Sequence, residues 1–424
     1  MLDIRFIRDN PELIRQAAKA KRIEVDIDAL LAVDKLWRES TTEVETLKAE
    51  QNAASKSIAK LAGDEKKAAI ARLGDSKNRI KELGEKLAEL EKQRDALLLL
   101  VPQPADPDVP EGPDDTGNVE DHRWGEPRTF DFKPLDHVEL GESLGIIDLE
   151  RGAKLAGARS YFLVGDGARL EWAVLMFSLD LIRQFGFTPM IVPLLVRDEA
   201  MVGTGYFPGG EDQAYRIPAD GVNLVGTAEV SLTAYHMGET LAADELPVLT
   251  AALSPCFRRE AGTYGKDTRG VYRIHQFNKV EQVVVCRNDI EESKRWHRKI
   301  LENSEAVVQA LGLPYRVVNV CTGDLGRGQA AKFDIETWMP GRNGYGETHS
   351  ASRFYEFQAR RLHLRYREKD GAVKFCHTLN NTVIASPRVL IAILENCQNA
   401  DGSVSIPTVL RPYMNGQERI VRAK

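Results

Sequence analysis

Cysteines are scarce in this chain and none is spaced for pairing. The five, Cys256, Cys286, Cys321, Cys376 and Cys397, are odd in number, widely separated and without a C-x-x-C step. That spacing indicates neither a disulfide framework nor a zinc site. Long apolar runs are missing as well. A stretch such as Ala96 to Val101 is far too short to span a bilayer, and Met1 to Phe6 carries no apolar segment of the kind a signal peptide needs. No membrane association is expected, and a reducing cytoplasm is the expected compartment. An excess of positive charge is also absent: 57 Lys and Arg face 63 Asp and Glu, for a net charge of -6. Contact with a polyanion must therefore come from a local patch. What the chain does have is 43% hydrophobic residues over 424 positions, enough for more than one packed domain.

Between Asp28 and Val101 apolar residues recur at three- and four-residue steps: Leu30, Val33, Trp37, Val44, Leu47, Ala54, Ile58 and Leu61, then Ile70, Leu73, Ile80, Leu83, Leu87, Leu90 and Leu97. The break at Ala62-Gly63-Asp64 divides this seam into two long helices, which predicts an antiparallel coiled-coil hairpin. At ~1.5 Å per residue, thirty-odd residues give an arm of roughly 50 Å. Charge along the arm is uneven. Lys48 to Lys81 holds nine basic residues against four acidic ones, whereas the proximal half carries Asp28, Asp34, Glu39, Glu43 and Glu45 on one helix and Glu82, Glu85, Glu89, Glu91 and Asp95 on the other. A polyanion should prefer the distal half; a solvated spacer or a dimerisation coil would read the same way. The stretch from Pro102 to Pro113 is acidic and rich in proline, cannot continue a helix, and is expected to be a linker.

Residues Cys256 to Cys286 read as two strands joined by a loop punctuated by Gly262, Gly265 and Gly270. With the second strand taken as Val271 to Cys286, Arg273, His275, Phe277, Lys279 and Glu281 share one parity and project from one face. An apolar ring flanked by cationic and anionic side chains suits a stacked base with a phosphate and a charged co-substrate beside it.

The same segment, with Phe257-Arg258-Arg259-Glu260 leading through the loop to Gln282, resembles the second signature motif of class II aminoacyl-tRNA synthetases, and in detail it is similar to the seryl-tRNA synthetase family of bacterial type. Further segments follow in that family's order: Arg183 to Arg197, like the first motif, where a helix ending at Gly186 is expected to continue as an apolar strand interrupted by Pro193; Thr227-Ala228-Glu229; Glu347 to Arg353; Leu379 to Gln398, like the third motif; and the C-terminal Ser403 to Met414. The resemblance implies an α+β protein, an N-terminal coiled-coil hairpin followed by a class II catalytic domain on an antiparallel β-sheet flanked by helices. The implied division is residues 1–103, 104–115 as linker, and 116–424.

The implied activity joins L-serine to tRNA(Ser), and to tRNA(Sec), through a seryl-adenylate made with ATP and Mg²⁺ by a homodimer. It also implies roles. Arg258 and Arg388 are the catalytic arginines. ATP would be met by Arg258, Arg259, Glu260, Ile274, His275, Gln276, Phe277, Glu347, Thr348, His349, Ser350 and Arg388. Serine would be met by Thr227, Ala228, Glu229, Arg258, Glu281, Asn380 and Thr382, and the metal by Glu347 and Ser350. A guanidinium suits the α-phosphate because it can donate two parallel hydrogen bonds as charge builds there. The chain departs from the family at His349, Arg353, Asn381 and Pro387. His349 has no second His or Cys at ligand spacing and reads as a local hydrogen-bonding residue. The alternatives are a relative that loads a carrier protein, against which the full arm argues, and an inactive paralogue, against which the retained Arg258, Glu260, Phe277, Glu281, Glu347 and Arg388 argue.

Overall fold

The computed structural model describes residues 1–58, 62–262, 265 and 269–422, in two compact units, Met1–Pro102 and Gln103–Lys424. Lys60, Leu61 and Tyr264, which the sequence reading placed on the arm and in the motif loop, lie outside the described residues. No helix among the described residues is long and apolar enough to cross a membrane.

In the first unit, helices α1 (Ile4–Asp9) and α2 (Pro11–Ala20) pack with the roots of α3 (Ile27–Ile58) and α4 (Gly63–Leu100). Leu2, Ile7, Ile14, Ile27, Leu30, Leu98 and Val101 form that core. The hairpin is antiparallel: Arg94 stacks 4.3 Å from the Trp37 ring centroid, and farther out Arg79 pairs with Glu43 at 2.9 Å. Val44, Leu83 and Leu90 are buried on the seam as the periodicity requires. Two expectations fail there. Ile70 is exposed, because a straight helix turns 3.6 residues per turn and Ala69 takes the inward place. Asp34, expected among the surface acids, is 2% exposed and held by Arg8 at 3.7 Å and Arg38 at 3.0 Å.

The second unit is built on an eight-stranded sheet. In chain order its strands are β1 (Val119–Trp124), β2 (Thr188–Met190), β3 (Val248–Phe257), β4 (Gln276–Cys286), β5 (Tyr315–Asn319), β6 (Ala331–Met339), β7 (Gly344–Tyr355) and β8 (His377–Ala385). Across the sheet they run β1-β5-β6-β7-β8-β4-β3-β2. Every pairing is antiparallel except the edge pair β2 and β3. Pro189 sits in that edge strand, where a missing donor costs least. Helices α5 (Asp166–Gln184), α6 (Ile290–Ala310) and α7 (Ser386–Asn396) cover one face, burying Val280, Val284, Leu379 and Val383 against Ile300, Val307 and Leu390.

Two sequence expectations change in this unit. The apolar strand expected through Pro193 is two short strands in different sheets, Thr188–Met190 and Leu195–Val196. Between them the Pro193 carbonyl accepts a hydrogen bond from Ser231 at 2.6 Å. The stretch after Pro102 belongs with the second unit. The Asp106 amide donates to Ala330 O, Asn319 donates to Asp108 O, and Val109 packs with Val318, Val320 and Leu325. Asn381, a departure from the family, pairs in register with Gln282 and Ala351, and the one extra residue of β8 falls beyond it, at Val383. The Asn381 side chain accepts from Gln282 Nε2 at 2.6 Å and from Ser304 Oγ, and donates to Ser350 O at 3.0 Å, so a buried polar side chain is fully engaged.

Candidate active site

The sheet face away from α6 carries the polar row of β4, and that row starts later than the sequence suggested. β4 begins at Gln276, so Arg273 and His275 precede it, while Phe277, Lys279 and Glu281 keep the shared face. Arg273 nonetheless reaches the site, donating to Glu260 at 2.8 Å. Arg258, just beyond β3, holds its guanidinium 5.3 Å from the Phe277 ring centroid and donates from Nε to Gly226 O at 3.3 Å. One cation therefore stands between an aromatic platform and the start of the Gly226 to Glu229 segment.

At one end, the first turn of α7 brings in Arg388. Its Nη1 donates to Glu347 O at 2.9 Å and lies 3.2 Å from Glu347 Oε2, and it stacks 4.5 Å from the Tyr272 ring centroid. Pro387 occupies the first turn of that helix, where its missing N–H is harmless. Glu347 and Ser350 are three apart on β7 and would point to opposite faces of a regular strand. They share a face because the register slips: Asp334 is opposite Ser350 and Glu336 opposite Glu347, with Thr348 as the extra residue. Thr348 is fixed by Thr337 Oγ1 at 2.7 Å and Ile335 O at 3.1 Å. His349 is 1% exposed and hydrogen-bonds the Thr348 hydroxyl at 2.7 Å; burial pushes its imidazole down to about 3, so it stays neutral.

At the other end lies a buried polar pocket. Thr227, Glu229, Lys279 and Glu281 are all buried. Glu281 Oε2 accepts from Thr227 at 3.4 Å and from Thr382 at 3.3 Å, and a slip in the β4/β8 register sets Glu281 opposite Thr382. Glu229 accepts from Gln358 at 2.9 Å and from Tyr206 at 3.3 Å. Burial first, and then the facing Glu281, push its carboxyl up to about 7. Asn380 is on the same face of β8 as Thr382.

The structure thus gathers Arg258, Glu260, Ile274, Phe277, Glu347, Thr348, His349, Ser350, Thr382 and Arg388 around one cavity, with Lys279 in its wall. Four of the predicted residues are elsewhere. Arg259 is exposed, its amide bonded to Gln213 O, because side chains alternate on an extended chain. His275 bonds Arg258 O through Nδ1 and, with exposed Gln276, lines a neighbouring cavity. Ala228 packs apolarly with Leu232, Val283 and Val285. Tyr206, Tyr272 and Gln358 carry polar contacts in the site without having been assigned a role from sequence. The only signal for Tyr206 was its glycine-flanked loop, Gly205 to Gly210. Among the described residues no group of three or more His, Cys, Asp or Glu is gathered to hold a metal.

Comparison with known proteins gives two family matches: the tRNA synthetase class II core domain (G, H, P, S and T) over residues 217–397 and the seryl-tRNA synthetase N-terminal domain over residues 1–104. The chain is 48% identical over 418 residues to the serine--tRNA ligase of Deinococcus radiodurans, covering 99% of this chain and 98% of that protein. It is 46% identical over 425 residues to that of Thermomicrobium roseum, covering 100% and 95%. Among solved structures, seryl-tRNA synthetase from Pyrococcus horikoshii complexed with ATP matches with TM-score 0.94 at 40% identity over 100% of both chains. The cytoplasmic serine-tRNA ligase of Naegleria fowleri in complex with AMP matches with TM-score 0.90 at 33% identity, over 100% of this chain and 99% of the other.

Proposed function

The chain belongs to the seryl-tRNA synthetase family, and on that premise we propose how its side chains divide the serine--tRNA ligase reaction. It is an ATP-dependent ligase acting on L-serine and tRNA(Ser). In the first step the serine carboxylate attacks the α-phosphorus of ATP and pyrophosphate leaves. In the second the terminal ribose hydroxyl of tRNA attacks the seryl carbonyl and AMP leaves. Neither step needs a covalent bond to the protein, so catalysis rests on orientation and on charge stabilisation.

The observation that carries this reading is the position of Arg258, between the Phe277 ring and the Gly226 carbonyl. A guanidinium there would reach both the α-phosphate of ATP whose base stacks on Phe277 and the carboxylate of an amino acid seated by Thr227 and Glu281. Glu260, braced by Arg273, would read the base, and Arg388 at the N-terminus of α7 would meet the γ-phosphate with the helix dipole behind it. Serine would place its hydroxyl against Glu281 and Thr382 and its ammonium by Glu229 and Thr227. The Glu347 carboxylate and Ser350 hydroxyl, set on one face by the Thr348 bulge, are hard oxygen donors and fit Mg²⁺. Bound with ATP, the ion would complete its shell from phosphate and water and screen the phosphate charge.

The finer reading is a cytoplasmic homodimer of bacterial type that also serves tRNA(Sec). The bacterial relatives at 48% and 46% identity support the type. Exposed Trp172 and Met176 on α5 and Ile191 after β2 support a partner surface. The distal arm from Lys48 to Lys81, basic in an acidic protein, would take the RNA through its phosphates. Deleting Ala49 to Lys81 should abolish charging of a tRNA pool while serine-dependent pyrophosphate exchange persists. Loss of both activities would contradict this division of labour.

A further inference from the structure

The residue on the serine side that the family reading leaves without a role is Lys279. It is a lysine 4% exposed, and a buried ammonium is costly unless something holds it. Its Nζ lies 2.5 Å from Glu281 Oε2, 2.6 Å from Thr227 Oγ1 and 3.4 Å from Thr382 Oγ1. All three donor directions of the ammonium are thereby used, and on three of the four side chains that the proposed function gives to serine. The contacts that Glu281 receives from Lys279, Thr227 and Thr382 all fall on Oε2.

We propose that Lys279 is a positioning residue for serine selection, clamping one oxygen of Glu281 inside the protein so that the other is held for the hydroxyl of the amino acid. The inference rests on the proposed serine site and says how that site gets its selectivity. Without the clamp, Glu281 would be a mobile carboxylate beside an incoming ammonium, and Coulomb attraction would draw it there, away from the hydroxyl. With the clamp, its charge is already balanced within the protein, and Glu229, on a separate element and held by Gln358 and Tyr206 from two others, remains for the ammonium. Hydroxyl recognition of this kind discriminates because alanine leaves a buried polar oxygen unpaired.

The test is pyrophosphate exchange by the full chain with serine and with alanine, in wild type, Lys279→Met, Glu281→Gln and the charge-balanced double variant. Serine-dependent exchange by the wild type establishes the ligase reading first; its absence would overturn that reading and this one together. Given exchange, Lys279→Met should lower kcat/KM for serine about tenfold or more while that for alanine changes less than about threefold and the KM for ATP stays put. A lysine that merely supports the fold would lower serine and alanine alike, and that result overturns the proposal. Should Lys279→Met fail to fold, the double variant decides. Serine-to-alanine selectivity equal to that of Glu281→Gln alone supports the clamp, since its target is gone; a further loss overturns it.

Discussion

The guanidinium of Arg353, on β7, closes on the carboxylate of Asp106, in the proline-rich stretch that follows the arm. Tyr355 donates to the same carboxylate at 2.8 Å, and His297 stands 3.4 Å behind the guanidinium, with Nε2 on Ala351 O. Burial pushes His297 down to about 3, so it adds no charge to this cluster. A family departure thus has a local cause: Arg353 is the anchor for the start of the second unit. Replacing Arg353 by Ala strands a carboxylate that is 12% exposed. The expected loss is about 3–5 kcal/mol in urea unfolding of the full chain, with the KM for serine unchanged. A loss of under about 1 kcal/mol would mean that the pair is no anchor.

Glu229 should make serine binding depend on pH. Its carboxyl is raised from the ordinary 4.5 to about 7 by burial and by Glu281, against the hydrogen bonds of Gln358 and Tyr206 and the charge of Lys279. A serine ammonium favours the ionised form, so binding below that value releases a proton. The KM for serine should therefore fall as pH rises through about 7 and level off above it, and Glu229→Gln should flatten the profile. The effect on stability has the opposite sense. The native state keeps this proton longer than the unfolded chain, so the contribution is full below about 4.5 and is lost as pH rises through about 7. An unaltered KM profile in Glu229→Gln would assign the inflection to another group.

Glu171, 7% exposed on α5, links the second and third signature segments through one oxygen. Its Oε1 accepts from Asn278, the neighbour of Phe277, at 3.1 Å and from Ser386, two residues before Arg388, at 2.5 Å. Loosening both the ring and the arginine should cost orientation of ATP. We expect Glu171→Ala to lower kcat/KM for ATP in pyrophosphate exchange by about tenfold and to leave the serine-to-alanine ratio unchanged. A change in that ratio would place Glu171 on the serine side instead.

Local pattern carried the elements and much of the site. The heptad seam and the shared face of Phe277, Lys279 and Glu281 are both periodicity, and periodicity is a property of consecutive residues; the α+β order followed from the family resemblance. Where the chain merely continues in the same state, the pattern can be extended, as from Phe277 to Glu281. Extended too far it fails, as at Arg273 and His275, because β4 has its pairing partner in β3 only from Gln276 onward. Ile70 failed for a related reason: a small error in helical period accumulates along a long seam.

The amino-acid sequence by itself determined which residue types the site would contain and the order in which the chain delivers them. Tertiary structure decided which of them meet. The bulge at Thr348 puts Glu347 and Ser350 side by side, the slip between β4 and β8 puts Thr382 opposite Glu281, and Tyr206 and Gln358 converge on Glu229 from segments more than a hundred residues apart. Register slips and long-range convergence are set by how strands pair and helices pack, and neither leaves a period for the sequence to display. The charge on Lys279 belongs to the same class. Its composition reads as one more cation, and only burial beside Glu281, Thr227 and Thr382 makes it part of a clamp.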